Sequence, residues 1–198
     1  MKTGIIIVIC LIVAVCIVFG VYLIIEKINY ERDIAEHPVY YQNLISKYSK
    51  EYDLDPYLVI SIIRCESSFD PNALSDKGAM GLMQIMPDTG SWVAHKLGLD
   101  ETYSQDQLYD PEMNIRFGCW YLRFLDGRFS GYRDAVICAY NAGHGNVRNW
   151  LDDVRYSSDG VLTSIPFPQT ERYLTRVMDS YEHYRNLYPD LFIESSGT

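Results

Sequence analysis

The sequence predicts an all-α fold: one N-terminal apolar helix followed by a helical domain. Three observations carry this reading. Residues 4–25 are an uncharged, nearly unbroken apolar run, long enough to cross a bilayer core of about 30 Å as a helix. From residue 38 onward, apolar side chains recur three and four apart between Asp-Pro and Gly punctuation, the pattern of amphipathic helices. No stretch alternates with the period of two that marks a strand, and no internal repeat or low-complexity run occurs. The chain divides into a short tail at 1–3, a transmembrane signal anchor at 4–25, a linker or helix extension at 26–37, a domain at 38–190 and a tail at 191–198.

The anchor reading rests on length and on what is absent. A cleaved signal peptide usually has a shorter apolar core and a small-residue cleavage site. No Ala-x-Ala stands here, and Val13-Ala14-Val15-Cys16 places a bulky Val15 where a lipoprotein box needs a small residue. A cleaved signal peptide is the alternative. Lys2 on one flank and Lys27 and Arg32 on the other leave orientation undecided by charge.

In the domain, a first helix is expected from Val39 to Tyr52, with Tyr41, Leu44, Ile45, Tyr48 and Tyr52 on its apolar face. Asp55-Pro56 is a cap followed by a first helical position and starts a second helix. A third begins at Pro87, turns Trp92, Val93 and Leu97 inward, and stops at Gly98. Asp110-Pro111 starts a fourth, carrying Ile115, Cys119, Leu122 and Leu125 to Gly127. A short helix from Arg133 to Tyr140 leads into Asn141-Ala142-Gly143, and another turn of helix runs to Val154. Residues 156–168 read as a loop, and a last helix spans Gln169 to Tyr188 before Pro189.

Composition narrows the function. A net charge of −9 argues against nucleic acid or an anionic membrane surface as partner. Seventeen Tyr suit a core with wet edges. Of five Cys, Cys10 and Cys16 lie in the apolar run as small hydrophobes. Cys65, Cys119 and Cys138 lie in the domain. A Cys119–Cys138 disulfide fits a compartment outside the cytoplasm, and buried free thiols fit equally. With no Cys-x-x-Cys and four scattered His, the sequence offers no zinc site and implies no metal and no cofactor.

One segment, Cys65 to Thr89, carries the chemistry. Val59, Ile62 and Ile63 define a helical row that Glu66 continues. A carboxyl on an apolar face loses hydration of its charged form, which raises its pKa and suits a general acid. The plainer reading is a solvated Glu at a fraying helix end. Asp70-Pro71 then bars helix, and Gly78 and Gly81 punctuate a loop ahead of Leu82-Met83-Gln84-Ile85-Met86. Asp70 and Asp88 read as turn and helix-start residues.

The ordered pattern Glu66-Ser67-x-Phe69-x-Pro71-x-Ala73-x-Ser75-x-x-Gly78-Ala79-x-Gly81-Leu82-Met83-Gln84-x-Met86-Pro87-x-Thr89 closely resembles the catalytic signature of the soluble-lytic-transglycosylase (SLT) family. Ala139-Tyr140-Asn141-Ala142-Gly143-x-Gly145 resembles its third motif, and Ile165-Pro166-Phe167-x-Gln169-Thr170-x-x-Tyr173 its fourth. The similarity covers roughly residues 38–188. It implies a lysozyme-like domain acting on peptidoglycan glycan strands, held by residues 4–25 in the cytoplasmic membrane with the domain on the cell-wall side. It also implies cleavage of the β-1,4 bond between N-acetylmuramic acid (MurNAc) and N-acetylglucosamine (GlcNAc) without water, leaving a 1,6-anhydro-MurNAc end. Glu66 is then general acid and afterwards base. Ser67, Ser75, Met83, Gln84, Tyr140, Asn141, Gln169 and Tyr173 are implied substrate-site residues, with Tyr140 bonding Glu66. Each has a plainer role: Ser67 and Ser75 in backbone turns, Met83, Tyr140 and Tyr173 in the core, Asn141 as a cap.

Gln169 departs from the family pattern, which commonly has Glu there; an amide cannot carry charge or protons. Glu171 lies two residues on, toward the opposite side of a helix, and His144 reads as a loop residue. Glycoside hydrolysis usually takes two carboxyl groups. With only Glu66 placed by motif, the sequence leans to substrate-assisted chemistry. A goose-type-lysozyme-like hydrolase and a non-catalytic peptidoglycan-binding scaffold are the alternatives. Protein partners and the cellular process served are not written in the sequence.

Overall fold

The structure, a computed structural model, describes residues 2–193. Met1 and residues 194–198, and with them most of the expected C-terminal tail, lie outside the described residues, as do the side chains of residues 2, 3, 5, 8 and 10, Lys2 and Cys10 among them. The chain forms two compact units, Met1–Pro38 and Val39–Thr198. The first is one helix, α1 (Lys2–Glu36). Within it, Leu11–Glu36 is long and apolar enough to cross a membrane, and its apolar side chains from Leu11 to Ile28 stand exposed.

The second unit is a helical domain. α2 (Gln42–Glu51) begins later than expected because Tyr41 adopts a left-handed conformation, φ 56°, at its N-cap. α3 (Pro56–Ser67) starts as its Asp-Pro pair requires: Asp55 Oδ1 accepts from the Tyr57 N–H at 2.9 Å. Six consecutive residues, Leu58–Ile63, are buried in α3. A helix buried on every side is a central one, not a surface one. Its main partner is α8 (Pro168–Leu187). Tyr181 of α8 donates to Asp55 Oδ2 at 2.6 Å, so one carboxylate caps α3 and ties it to α8.

α4 (Pro87–Lys96) ends before Gly98, whose φ of +69° is easy only for glycine. α5 (Pro111–Arg128) is capped by Asp110, which accepts from the Met113 N–H at 2.8 Å. α6 (Arg133–Ala142) and α7 (His144–Leu151) meet at Gly143. The core joins Ile45, Ile60, Ile63, Leu82, Ile115, Leu122 and Ile137, all fully buried.

Three expectations need correction. Residues 156–168 are not all loop: β1 (Ser157–Ser158) pairs antiparallel with β2 (Val161–Leu162). Asp159-Gly160, both at positive φ, make the two-residue turn, the hairpin chemistry for which Asp-Gly is suited. A short 3₁₀ turn, Gln105–Tyr109, precedes α5, closed by a reciprocal Ser104–Gln107 capping pair. Finally, Cys119 and Cys138 are buried free thiols, not a disulfide.

Candidate active site

The last turn of α3 presents Glu66 to a hollow of about 340 Å³. The helix stops at Ser67 because Ser68 and Phe69 are both left-handed, φ 51° and 66°. Non-glycine residues in this region are strained and persist where their surroundings hold them. Phe69 is nearly fully buried and clamps the reversal. The chain leaves in an Asx turn in which Asp70 Oδ1 accepts from the Asn72 N–H at 2.9 Å.

Residues 73–85 then form a braced wall. The Ser75 N–H donates to Ala79 O, the Gly81 N–H to Ala73 O, and Met80 and Ile85 exchange two backbone hydrogen bonds. Gly81 has φ +74°, and a side chain there would run into Leu108 O and the Asn114 amide. Gln84 is another strained non-glycine position, φ 48°. Its Nε2 donates to Ala73 O and Gly81 O, so the side chain braces the wall that it lines.

Asn114 of α5, which sequence reasoning did not single out, holds this wall from behind. It is fully buried. Its Oδ1 accepts from the Met83 N–H at 2.7 Å, and its Nδ2 donates to Met80 O at 2.9 Å and Leu108 O at 2.7 Å. One amide thus satisfies three buried backbone groups, each costly if left unpaired.

The hollow is lined by Glu66, Ser75, Asp76, Lys77, Ala79, Gln84, Met86, Tyr140, Asn141 and Gln169. Six of the nine residues expected at the site therefore meet here. The other three do not face it. Met83 is fully buried, with its sulfur over Gly118, and Met86 stands in the hollow in its place. Ser67 is committed to backbone, its hydroxyl lying within hydrogen-bond reach of Leu82 O at 2.9 Å and Ile63 O at 3.2 Å. Tyr173 is buried behind Glu66 rather than beside it in the hollow.

Tyr173 is the residue that holds Glu66. Its hydroxyl donates to Glu66 Oε1 at 2.6 Å. The expectation that Tyr140 does so is corrected: the Tyr140 hydroxyl donates to Met83 O at 2.7 Å, fixing the wall, while its ring stays in the hollow. Ser75 Oγ accepts from the Ala79 N–H. Asn141 Oδ1 accepts from the Thr170 hydroxyl at 2.9 Å, which ties the third motif to the fourth. Gln169 is exposed at the start of α8, and Glu171 faces a different hollow.

Burial drives the electrostatics. It pushes the Glu66 carboxyl up to about 7, against the opposing pull of the Tyr173 hydrogen bond and the positive charge of Arg176. A carboxyl protonated near neutrality can give a proton and take one back. Tyr173 and Tyr140 are themselves pushed well above the usual phenol value, first by burial and then by Glu66, so both stay neutral donors. Burial raises the adjacent Cys65 thiol to about 11, which leaves it unreactive. Asp76 is a second carboxylate in the hollow that the motif reading missed; its only sequence signal is its place in the loop between Ser75 and Gly78. Among the described residues no group of three or more His, Cys, Asp or Glu is arranged to hold a metal ion.

Comparison with known proteins agrees with this geometry. Residues 43–160 match the family model of the transglycosylase SLT domain. The soluble lytic murein transglycosylase of Salmonella typhimurium is 35% identical over 151 residues, 75% of this chain and 23% of that protein. The membrane-bound lytic murein transglycosylase C of Edwardsiella ictaluri is 32% identical over 168 residues, 74% of this chain and 47% of that protein. The 70 kDa soluble lytic transglycosylase of Escherichia coli superposes with a TM-score of 0.72 at 34% identity, covering 81% of this chain and 26% of that one. The lytic transglycosylase Slt of Pseudomonas aeruginosa, solved as an inactive mutant with glutamine in place of a glutamate, gives 0.69 at 35% identity over 76% of this chain and 25% of its own. The chain spans about a quarter of the soluble relatives and about half of the membrane-bound one. The lysozyme-like helical fold expected from the sequence is the fold of these structures.

Proposed function

This chain belongs to the transglycosylase SLT domain family, and from that premise we propose that it is a membrane-anchored lytic transglycosylase of peptidoglycan. The observation that carries the reading is Glu66: a carboxyl raised to about 7, held by Tyr173, at the floor of a hollow lined by polar side chains. Protonated Glu66 donates its proton to the oxygen between MurNAc and GlcNAc, and GlcNAc leaves as the free alcohol. The acetamido group of MurNAc stabilises the positive centre at C1. The C6 hydroxyl of the same sugar attacks C1, and the Glu66 carboxylate takes its proton. Glu66 is restored and a 1,6-anhydro-MurNAc end is left. A tethered nucleophile reacts with an effective molarity of about 10⁵ M or more, which favours C6 over water.

Gln84, Ser75, Asn141 and Gln169 supply hydrogen-bonding groups to the sugar hydroxyls and amides, with Tyr140 and Met86 as apolar walls. Tyr173 fixes the carboxylate, while Ser67 and Met83 support the site from outside the hollow. Helix α1 holds the chain in the cytoplasmic membrane with the domain on the wall side, a reading supported by its apolar length and by the membrane-bound relatives. Replacing Glu66 by Gln in the full chain, held in detergent, tests the assignment. Release of fragments from purified sacculi is lost while binding to them remains; unchanged release removes Glu66 from the chemistry.

Asp76 favours a second reading. A second carboxylate in the same hollow is what a hydrolase needs to activate water. The two readings differ in their products, reducing ends against anhydro ends.

A further inference from the structure

Beyond the hollow at Glu66 lies a second one of about 230 Å³, lined by Asp88, Thr89, Trp92, Tyr121 and His144. None of these residues belongs to the motifs that place the acid, apart from Thr89 at the end of one and His144 at a variable position in another. We infer that this hollow binds a further sugar ring of the same glycan strand, one that is not cleaved. The inference rests on the glycan-cleaving reading above.

The hollow is built as an aromatic shelf. Trp92 of α4 stands edge-on to Phe124 of α5, with ring centroids 4.8 Å apart. Tyr121 lies one turn before Phe124 on α5, its ring nearly parallel at 6.1 Å. His144, the first residue of α7, closes the far side, 5.8 Å from Phe124. These rings are half-buried, neither sealed in the core nor fully solvated. Asp88 and Thr89 add a carboxylate and a hydroxyl at the rim, on the first turn of α4. A pyranose ring has an apolar C–H face and a polar edge of hydroxyl and amide groups. Aromatic surface meets the first, and the rim acceptors meet the second. The Asp88 carboxylate favours a neutral hydroxylated ring over an acidic peptide.

Continuity with the hollow at Glu66 identifies the ligand. The Tyr121 ring lies 5.7 Å from the Tyr140 ring, which lines that hollow. Met86 of one hollow is two residues from Asp88 of the other, and Asn141 is three from His144. The two share a wall on both sides, so a polymer crossing Glu66 toward α4 runs onto the shelf.

Binding of neutral β-1,4-GlcNAc oligomers to the full-length Glu66→Gln protein in detergent micelles, by titration calorimetry, tests this. A six-ring oligomer is expected to bind at least tenfold more tightly than a three-ring one. Trp92→Ala should remove about tenfold of that advantage, the order of one aromatic contact, and Asp88→Asn a smaller part of it, both leaving three-ring binding unchanged. Retained three-ring binding also shows that the variants fold, and Asp88 is exposed enough to change without disturbing the core. Equal weakening of both lengths, or an unchanged six-ring advantage in both variants, overturns the shelf alone. A gain that appears only with peptide-bearing strands overturns it in favour of a stem-peptide site. Failure of every oligomer, and of sacculi, to bind the parent overturns the glycan-cleaving reading itself.

Discussion

Tyr173 donates a 2.6 Å hydrogen bond to Glu66 across 107 residues of sequence, and α3 and α8 pack against each other along the line that joins them. The bond favours the charged carboxylate, so it restrains a pKa that burial drives upward. Tyr173→Phe keeps the ring and removes the donor. Glu66 then holds its proton to higher pH, and the alkaline limb of the pH–rate profile, expected near 7, moves up. The loss of positioning lowers the maximal rate by about tenfold to a hundredfold. A profile measured on sacculi checks both; a limb that stays in place denies Tyr173 this role.

Glu66 also makes stability depend on pH. Its value of about 7 in the fold stands above its ordinary 4.5. Between these the folded protein binds more protons than the unfolded chain, so stability is full below 4.5 and falls as pH rises through 7. Glu66→Gln lacks this dependence. Its stability relative to the native chain should climb across that window and level off above 7 at roughly 2–3 kcal/mol. Denaturant titration at pH 4 and pH 8 measures the difference.

Asn114→Ala orphans the Met83 N–H and the carbonyls of Met80 and Leu108 at once. A loss of about 3 kcal/mol or more is expected, since each buried unpaired group costs roughly 1–3 kcal/mol. Because the same amide props the wall carrying Gln84, activity should fall further than the unfolded fraction explains. Thermal melts alongside rates corrected for folded protein separate the two effects.

Asp76→Asn discriminates between the two chemistries at Glu66. If the C6 hydroxyl is the nucleophile, Asp76 is dispensable and the rate changes by less than about tenfold. If Asp76 activates water, the loss is about a hundredfold or more, the usual scale for a general base. Initial rates of fragment release decide.

The helices were legible because their ends carry chemistry of their own: Asp55-Pro56 and Asp110-Pro111 act as caps and first positions, as their residue types dictate. The acid was legible through the apolar row of α3. What stayed hidden depends on contacts distant in sequence. Nothing near Asn114 marks it as the brace of a loop thirty residues earlier, since a buried Asn in a helix looks like any polar residue there. Tyr140 and Tyr173 both present a phenol near Glu66, and only the packing of α8 on α3 decides which one bonds it. Met83 and Met86 differ by one turn of a tight loop, so a small change of backbone direction exchanges core for hollow. The hairpin at Asp159-Gly160 was signalled by its turn alone, its strands being too short to show a period.

The central claim, an intramolecular attack by C6 with Glu66 moving the proton, is most directly tested by mass spectrometry of muropeptides released from purified peptidoglycan by the full chain. The account requires MurNAc ends lighter by one water and resistant to borohydride reduction. Reducible MurNAc ends would contradict it, make water the nucleophile, and turn attention to Asp76.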